Sequence, residues 1–236
     1  MKKLSSFFRM MSLILLLFVF GSSAFAPSID TEAAISQKTA FTSHSYKGNY
    51  LIRYPQVHGI NKNAASKINS TFKKTAEKSY KSYVAIKNAE KAVPKKELCE
   101  KTVRCKYSFN SQYQVKYNAN GKLSIYYSEY TYTGIGKTHV TMYNFDLTTG
   151  KQYKINDILK TSGNYEKVQN YAFKYLSTHE PYSNSVSQIS DVTINTNTQF
   201  IFTDEGIYLY FIDYQGFVVQ YDDGNPFIKI PKTLYQ

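Results

Sequence analysis

The sequence has few of the residues on which metal binding and catalysis usually depend. It contains two cysteines and four histidines among 236 residues. No histidine has another histidine or a cysteine at the spacing of a zinc site, and the Gly-x-Ser-x-Gly motif of many hydrolases is absent. We therefore expect no metal, no cofactor and no nucleophile of that hydrolase type. Structural or surface roles are expected for the four histidines, which are His44, His58, His139 and His179.

Tryptophan is also absent, but the other aromatic residues are abundant. The chain has 23 tyrosines and 15 phenylalanines, and 42% of its residues are hydrophobic. This apolar content excludes a wholly disordered chain. Tyrosine combines an apolar ring with a hydroxyl group and suits strands with one wet face, so the composition predicts antiparallel sheet.

The N-terminus has the three parts of a signal peptide, predicted over residues 1–26. A basic start precedes the apolar run Met10–Phe20, and small residues follow at 21–26. The run is short for a bilayer span of roughly 20 residues. We expect cleavage and a location in the medium or the cell wall, and a retained leader that anchors the chain is the alternative. Candidate cleavage positions follow Ala24, Ala26 and Ala33.

Acidic residues are scarce in the first half of the exported chain. Residues 27–122 contain 18 basic and six acidic residues, whereas residues 123–236 contain eight basic and 11 acidic residues. For an exported protein, a basic half suits anionic wall polymers, phospholipid headgroups or extracellular DNA better than a cytoplasmic nucleic acid. The simpler alternative is that the charge serves solubility on a solvated helix face.

The two cysteines, Cys99 and Cys105, are predicted to form a disulfide that closes a short loop. Closing so few residues contributes about 2 kcal/mol in the entropic account of disulfide stability. A zinc site would need further ligands nearby, and a redox role is disfavoured because the spacing is not Cys-x-x-Cys.

The order of elements predicts an α+β fold with mainly antiparallel sheet, one long N-terminal amphipathic helix and one shorter helix after the central strands. After a flexible lead-in at 27–45, a basic subdomain spans 46–122 and a tyrosine-rich subdomain spans 123–236. A first strand is predicted at Tyr46–Tyr54, ended by Pro55.

The long helix is predicted to begin after Asn61 and to end before Pro94. Apolar residues recur in it at three- and four-residue spacing. Its outer face is rich in lysine and is the candidate contact for a polyanion. The lysines of this face are Lys62, Lys67, Lys73, Lys74, Lys78 and Lys81.

The clearest strand alternates over Tyr107–Tyr117, with Ser, Asn, Gln and Lys between the mostly apolar positions. Residues 118–121 predict the turn of a hairpin whose second strand is Leu123–Thr131. Another strand is predicted at His139–Leu147 and the shorter helix at Asn164–Leu176. Further strands are predicted at 200–202, 207–213, 217–221 and 227–230.

Three groups of residues are candidates for a site. The flexible segment Gly134, Gly136, Lys137 and His139 is the candidate ligand loop. The acidic pairs Asp204–Glu205 and Asp222–Asp223 could act as acid and base or hold a cation, but carboxylates in turns more simply accept backbone N–H bonds. The alternating tyrosines could stack on sugar rings, although one buried and one wet strand face explain the same pattern.

Several stretches together resemble an uncharacterised exported domain family of Gram-positive bacteria. They are Ser124–Gly134, Tyr143–Lys151, Ile155–Leu159 and Phe202–Phe211, and the most specific piece is Asn144-Phe-Asp-Leu-Thr-Thr-Gly-Lys151. Paired domains of this family occur in the extracellular part of lysozyme-sensing anti-sigma factors and beside the catalytic domain of some peptidoglycan deacetylases. The resemblance covers most of the chain from about Tyr46.

Two stretches depart from the family pattern. Members commonly have Gly-Gly-Ala-His-Gly where this chain has Gly134-Ile-Gly-Lys-Thr-His139, and Ala-Pro-Tyr where it has Gln215–Tyr221. The binding partner of one member therefore does not transfer to this chain. Lysozyme is strongly basic, so the basic half would repel it and only the mildly acidic half could receive it.

Only nine residues precede the apolar run, too few for the cytoplasmic sigma-binding segment of an anti-sigma factor, and no deacetylase domain is evident. We therefore expect binding or sensing and not catalysis. The leading hypothesis is a non-enzymatic, wall-associated module that binds an anionic cell-wall polymer and an extracellular protein or glycan. The second is an inhibitor or decoy of a wall-lytic enzyme such as a muramidase, which it would bind through residues 134–139. The third is an enzyme acting on peptidoglycan through His139, Asp204 or Glu205.

Overall fold

The computed structural model describes residues 39–94, 107–211 and 225–236. The signal peptide, the Cys99–Cys105 disulfide, the pair Asp222–Asp223 and the strand at 217–221, all predicted from the sequence, lie outside these residues.

Within the described ranges the chain forms antiparallel sheets and helices, which confirms the predicted α+β class. The strands pair as β1–β2, β3–β4–β5–β6 and β7–β8–β9. The first elements are β1 (Ala40–Ser45), β2 (Arg53–His58), α1 (Lys62–Ala92), β3 (Ser108–Ala119) and β4 (Lys122–Tyr132). They are followed by β5 (Gly136–Asp146), β6 (Gln152–Tyr153), α2 (Ile155–Leu159), α3 (Ser162–Leu176), β7 (Gln199–Thr203), β8 (Gly206–Tyr210) and β9 (Phe227–Pro231).

The first sheet differs from the prediction. The last six residues of the predicted lead-in form β1, and β2 continues through Pro55, which was expected to end a strand. The amide of Asn69 bonds both the N–H and the C=O of Val57, so these groups point away from β1. Pro55 lies two residues earlier and has the same orientation, so its missing N–H removes no bond to β1.

The long helix α1 is confirmed at both ends. Asn61 caps its N-terminus, since Oδ1 accepts the backbone N–H groups of Asn63 and Ala64. The helix ends two residues before Pro94. It packs on one face of the four-stranded sheet, where the ring of Phe72 meets Tyr143 and Phe145 edge-on, each at a centroid distance of 5.5 Å.

The β3–β4 hairpin is confirmed, including its turn. Asn120 and Gly121 have φ angles of 51° and 69°, as a two-residue type I′ turn requires. A β-bulge between Val115 and Tyr117 interrupts the alternation of β3. The bulge moves Tyr117 to the face opposite Tyr113, whereas uninterrupted alternation predicted both on one face.

Two main hydrophobic clusters lie in the described chain. The first joins α1, β2 and one face of the four-stranded sheet and ends at Leu147. The second begins at Ile155 and joins α2 and α3 to the three-stranded sheet. The subdomain boundary predicted at 122/123 lies at the start of β4.

The outer edge of β7 is joined to the other face of the four-stranded sheet by two buried side chains. Ser124 accepts the backbone N–H of Phe202 at 2.8 Å, and Asn144 donates to the backbone C=O of Phe200 at 2.7 Å. Ser124 also donates to Asn144 at 2.6 Å. These bonds satisfy an edge that would otherwise carry buried, unpaired backbone groups.

Candidate functional site

A lysine-rich surface runs along α1, on the side opposite its packed face. We call it the lysine face, and every lysine predicted from the sequence to belong to it is exposed. The buried positions of the helix are Ala64, Ile68, Phe72, Ala76 and Ser79, which leave these lysines pointing into solvent. The members of the lysine face are Lys62, Lys67, Lys73, Lys74, Lys78 and Lys81.

Little of this positive charge is neutralised. The two glutamates of α1 pair within the helix, Glu77 with Lys81 at 3.1 Å and Glu90 with Lys87 at 2.7 Å. Lys67 donates to the backbone C=O of Thr149. The remaining four members form no ion pair with the described part of the chain, and they are Lys62, Lys73, Lys74 and Lys78.

The candidate ligand loop lies in the hairpin connection between β4 and β5 and at the start of β5. Gly134 has a φ of 100° between β4 and β5, and Gly136 begins β5. A Cβ on Gly136 would lie 2.9 Å from the hydroxyl of Tyr130, so the close approach of this ring favours glycine there. Lys137 and His139 are exposed on β5, and His139 lies opposite Glu129 of β4.

Within the described ranges, the outer edge of β5 has no strand partner over most of its length. β6 pairs only with Asn144 and Phe145. The backbone N–H of Met142 points outward and donates to the side chain of Gln199 at 2.8 Å. Thr138 and Val140 have the same orientation because they lie at even spacing from Met142. This edge and residues 195–200 border a groove of about 660 Å³, here called the β5-edge groove.

A second groove, of about 540 Å³, lies on the face of the four-stranded sheet opposite α1. We call it the amide groove, because three amide side chains of β3 line it. Each amide stands opposite a hydroxyl-bearing residue of β4 in the register of the hairpin. The three pairs are Asn110 with Tyr130, Gln112 with Ser128, and Gln114 with Tyr126.

The amide groove is polar but nearly uncharged. Lys116 is the one charged residue among the described residues that line it, and its amine lies 5.4 Å from the ring centroid of Tyr126. Burial raises the pKa of Tyr126, so its phenol stays neutral at physiological pH. Phe227 borders the groove and is 41% exposed.

The acidic pair in the β7–β8 turn has structural partners. Asp204 accepts a hydrogen bond from the hydroxyl of Tyr117 at 2.9 Å, and Glu205 pairs with Lys229. The Asp204 contact lies near the β3–β4 turn, whereas His139 lies beside Glu129, toward the other end of β4. The structure therefore does not bring His139 together with Asp204 and Glu205.

The histidines of the first sheet share one partner that sequence spacing did not reveal. The hydroxyl of Thr42 lies 3.0 Å from His44 Nε2 and 2.8 Å from His58 Nε2. His179 stacks on Tyr175 with ring centroids 4.0 Å apart. In the described ranges, no three His, Cys, Asp or Glu side chains are grouped closely enough to hold a metal ion.

The amide groove was missed from the sequence, although a signal for it was present. The wet face of the predicted strand at 107–117 carries amides at Asn110, Gln112 and Gln114, where charged residues would serve solubility equally well. The pattern does not tell which residues of the neighbouring strand stand opposite, and Phe227 comes from a strand more than 100 residues later.

Comparisons with known proteins give a partial family match and a shared fold. Residues 42–136 match a family model described as deacetylase PdaC. No curated protein matches the chain. A DUF3298-family structure from Bacteroides fragilis is similar over 84% of this chain and 90% of its own, with 18% identity and a TM-score of 0.57.

A DUF3298-family protein from Pseudomonas aeruginosa PAO1 is similar over 84% of this chain and 91% of its own, with 14% identity and a TM-score of 0.47. The likeness to the Bacteroides fragilis structure shows a common fold. In the part of the chain that is described, no helix combines the length and hydrophobicity needed to span a bilayer.

Proposed function

We propose that the protein is an exported, cell-envelope-associated binding module without catalytic activity, and that its lysine face binds an anionic wall polymer. The observation that carries this proposal is the row of exposed lysines on α1, four of which have no ion-pair partner in the described chain. The family-model match at residues 42–136 supports an envelope context, because the sequence resembles domains that accompany peptidoglycan deacetylases.

The expected binding mode follows from the exposure of these side chains. An exposed ion pair contributes roughly 0 to 1 kcal/mol, and salt screens it over about 10 Å at 0.1 M. Useful affinity therefore needs several contacts at once, which a repeating polyanion along a helix of 31 residues can supply. Binding of this kind weakens steeply as the ionic strength rises.

The test is retention of the purified protein, Ile35–Gln236, on purified cell walls at low and at moderate salt. The variant with Lys62, Lys73, Lys74 and Lys78 changed to Gln should lose most of its retention at low salt. A matched control carries the same change at four exposed lysines of the C-terminal half, Lys154, Lys160, Lys167 and Lys174. Equal losses in both variants, or retention that resists salt, would contradict a specific role of the lysine face.

The open edge of β5 favours a second candidate function, the inhibition of a wall-lytic enzyme. Thr138 and Val140 direct backbone donors and acceptors outward, and an extended segment of a partner could pair with them as an added strand. Thr138→Pro removes one outward donor without removing a bond to β4, while Thr138→Val keeps it.

If this candidate is correct, one muramidase of a panel is captured in a salt-stable manner, and Thr138→Pro weakens the capture at least about tenfold relative to Thr138→Val. Capture that is equal in both variants would remove the β5 edge from consideration.

The separation of His139 from Asp204 and Glu205 supports a non-catalytic role. A peptidoglycan hydrolysis assay in which the unmodified protein forms product and His139→Ala does not would contradict that role.

A further inference from the structure

We propose that the amide groove is a second binding site and that it takes an uncharged oligosaccharide. This inference goes beyond the binding of a polyanion and does not depend on it, because the two surfaces lie on opposite faces of the four-stranded sheet. Tyr127 points to α1 and bonds Ser79, so its neighbours Tyr126 and Ser128 point to the other face.

The first support is the row of amides. Asn110, Gln112 and Gln114 stand two residues apart on β3, so the row is on the order of 14 Å long. All three are exposed, and none of their side-chain amides has a hydrogen-bond partner in the described part of the chain. Each side-chain amide presents donors and an acceptor, which matches sugar hydroxyls that both donate and accept.

The second support is the row of hydroxyl groups opposite the amides. Tyr130, Ser128 and Tyr126 extend the polar floor across β4, and Thr138 continues it onto β5. Side chains of the sheet face form this floor. The backbone groups of β4 are already hydrogen-bonded to β3 on one side and to β5 on the other. An extended peptide that pairs through its backbone would find no strand edge on β4, whereas a hydroxyl-rich chain would find side-chain partners.

The third support is an aromatic ring at the border of the groove. Phe227 packs on Tyr210 with ring centroids 4.4 Å apart, and this contact fixes the position of the phenylalanine ring. Phe227 nevertheless remains 41% exposed. A held aromatic ring beside a row of polar groups suits a sugar, whose ring has an apolar face and a polar perimeter.

The charge of the groove selects against other ligands. Among the described residues, no carboxylate lines it, and the one cation of its lining is Lys116, beside the ring of Tyr126. A cationic ligand would find no counter-ion, and a polyanion would find far more positive charge on the lysine face. The groove therefore favours a neutral chain, and its length accommodates several sugar units.

The test is titration of the purified protein with two neutral tetrasaccharides, one of glucose and one of N-acetylglucosamine, monitored by calorimetry and by NMR. At least one should bind, with an affinity that salt does not change. Gln112→Ala with Gln114→Ala should weaken binding at least about fivefold, and Phe227→Ala should weaken it as well. Thermal unfolding checks that each variant is folded, and the exposed Gln152→Ala is the matched control.

The lysine-face variant should bind the neutral tetrasaccharide as the unmodified protein does, so a failure of either proposal is seen separately. Absence of binding by both tetrasaccharides would overturn the proposal. The proposal would also be overturned if Gln112→Ala with Gln114→Ala left binding unchanged, or if only the lysine-face variant lost binding. A preference of the groove for an anionic polymer or a peptide would overturn it as well.

Discussion

At the scale of single residues, the most specific stretch of the sequence, Asn144–Lys151, is explained by structural roles. Asp146 accepts bonds from the N–H groups of Thr148 and Thr149, and Phe145 and Leu147 enter the core beneath α1. Gly150 has a φ of 70°, and a Cβ there would lie 2.7 Å from the backbone oxygen of Ala64. The turn thus fits closely against the first turn of α1, and none of these residues needs a ligand to account for it.

Asp146 gives a prediction about pH. Its burial tends to raise the pKa of the carboxyl, but the hydrogen bonds from Thr149, Tyr153 and Thr148 outweigh burial and hold the pKa below its usual 3.8. Because the pKa is lower in the folded than in the unfolded protein, the ionised carboxylate stabilises the fold fully at pH values above the unfolded pKa. This contribution is lost as the pH falls through the folded pKa. Asp146→Asn should therefore lower the urea midpoint at pH 7 and have less effect at pH 3.

Urea unfolding at pH 7, 5 and 3 measures this difference. Glu166→Gln, at an exposed position of α3, controls for the loss of one negative charge. A gap between Asp146→Asn and the unmodified protein that stays constant from pH 7 to pH 3 would show that the bonds do not depend on the ionised carboxylate.

At the scale of elements, the packing of β7 on the four-stranded sheet depends on hydrogen bonds as well as on apolar contact. Ser124 and Asn144 together satisfy two backbone groups on the outer edge of β7, and Gln199 of β7 in turn accepts the outward N–H of Met142. These hydrogen bonds link β4 and β5 to β7, and they therefore join parts of the chain that belong to different hydrophobic clusters.

Replacing Asn144 tests this link. Asn144→Ala leaves the buried C=O of Phe200 without a donor and the O–H of Ser124 without an acceptor, while Ser124 still accepts the N–H of Phe202. An unsatisfied buried polar group costs about 1 to 3 kcal/mol. The free energy of unfolding should fall by roughly that amount or more. Asn170→Ala removes an exposed hydrogen bond from a side-chain amide of α3, and it should change the free energy of unfolding by less than about 0.5 kcal/mol. Equal effects in a chemical denaturation series would argue against the linking role.

At the scale of the whole molecule, the four-stranded sheet separates two surfaces of different chemistry. The lysine face carries positive charge on α1, while the amide groove on the other face is polar and nearly uncharged. The two proposals together imply that a charged polymer and a neutral one bind at the same time. We expect saturating neutral tetrasaccharide to leave wall retention through the lysine face unchanged, which a competition pull-down measures.

The sequence by itself determined the elements whose signals are local. Asn61 and Pro94 delimit α1, the turn residues Asn120 and Gly121 join β3 to β4, and helical periodicity orients the lysine face outward. Each of these depends on side-chain and backbone preferences within a few residues, so no distant contact is needed to predict them.

Only the tertiary structure decided which residues meet across the sheets. The bulge that turns Tyr117, the bonds from Ser124 and Asn144 to β7, and the position of Phe227 beside the amides of β3 all depend on partners far away in sequence. The sequence pattern shows that a strand has a polar face but not what lies opposite it. Register and packing between distant elements are set by the burial of the whole core, and a local pattern does not contain that information.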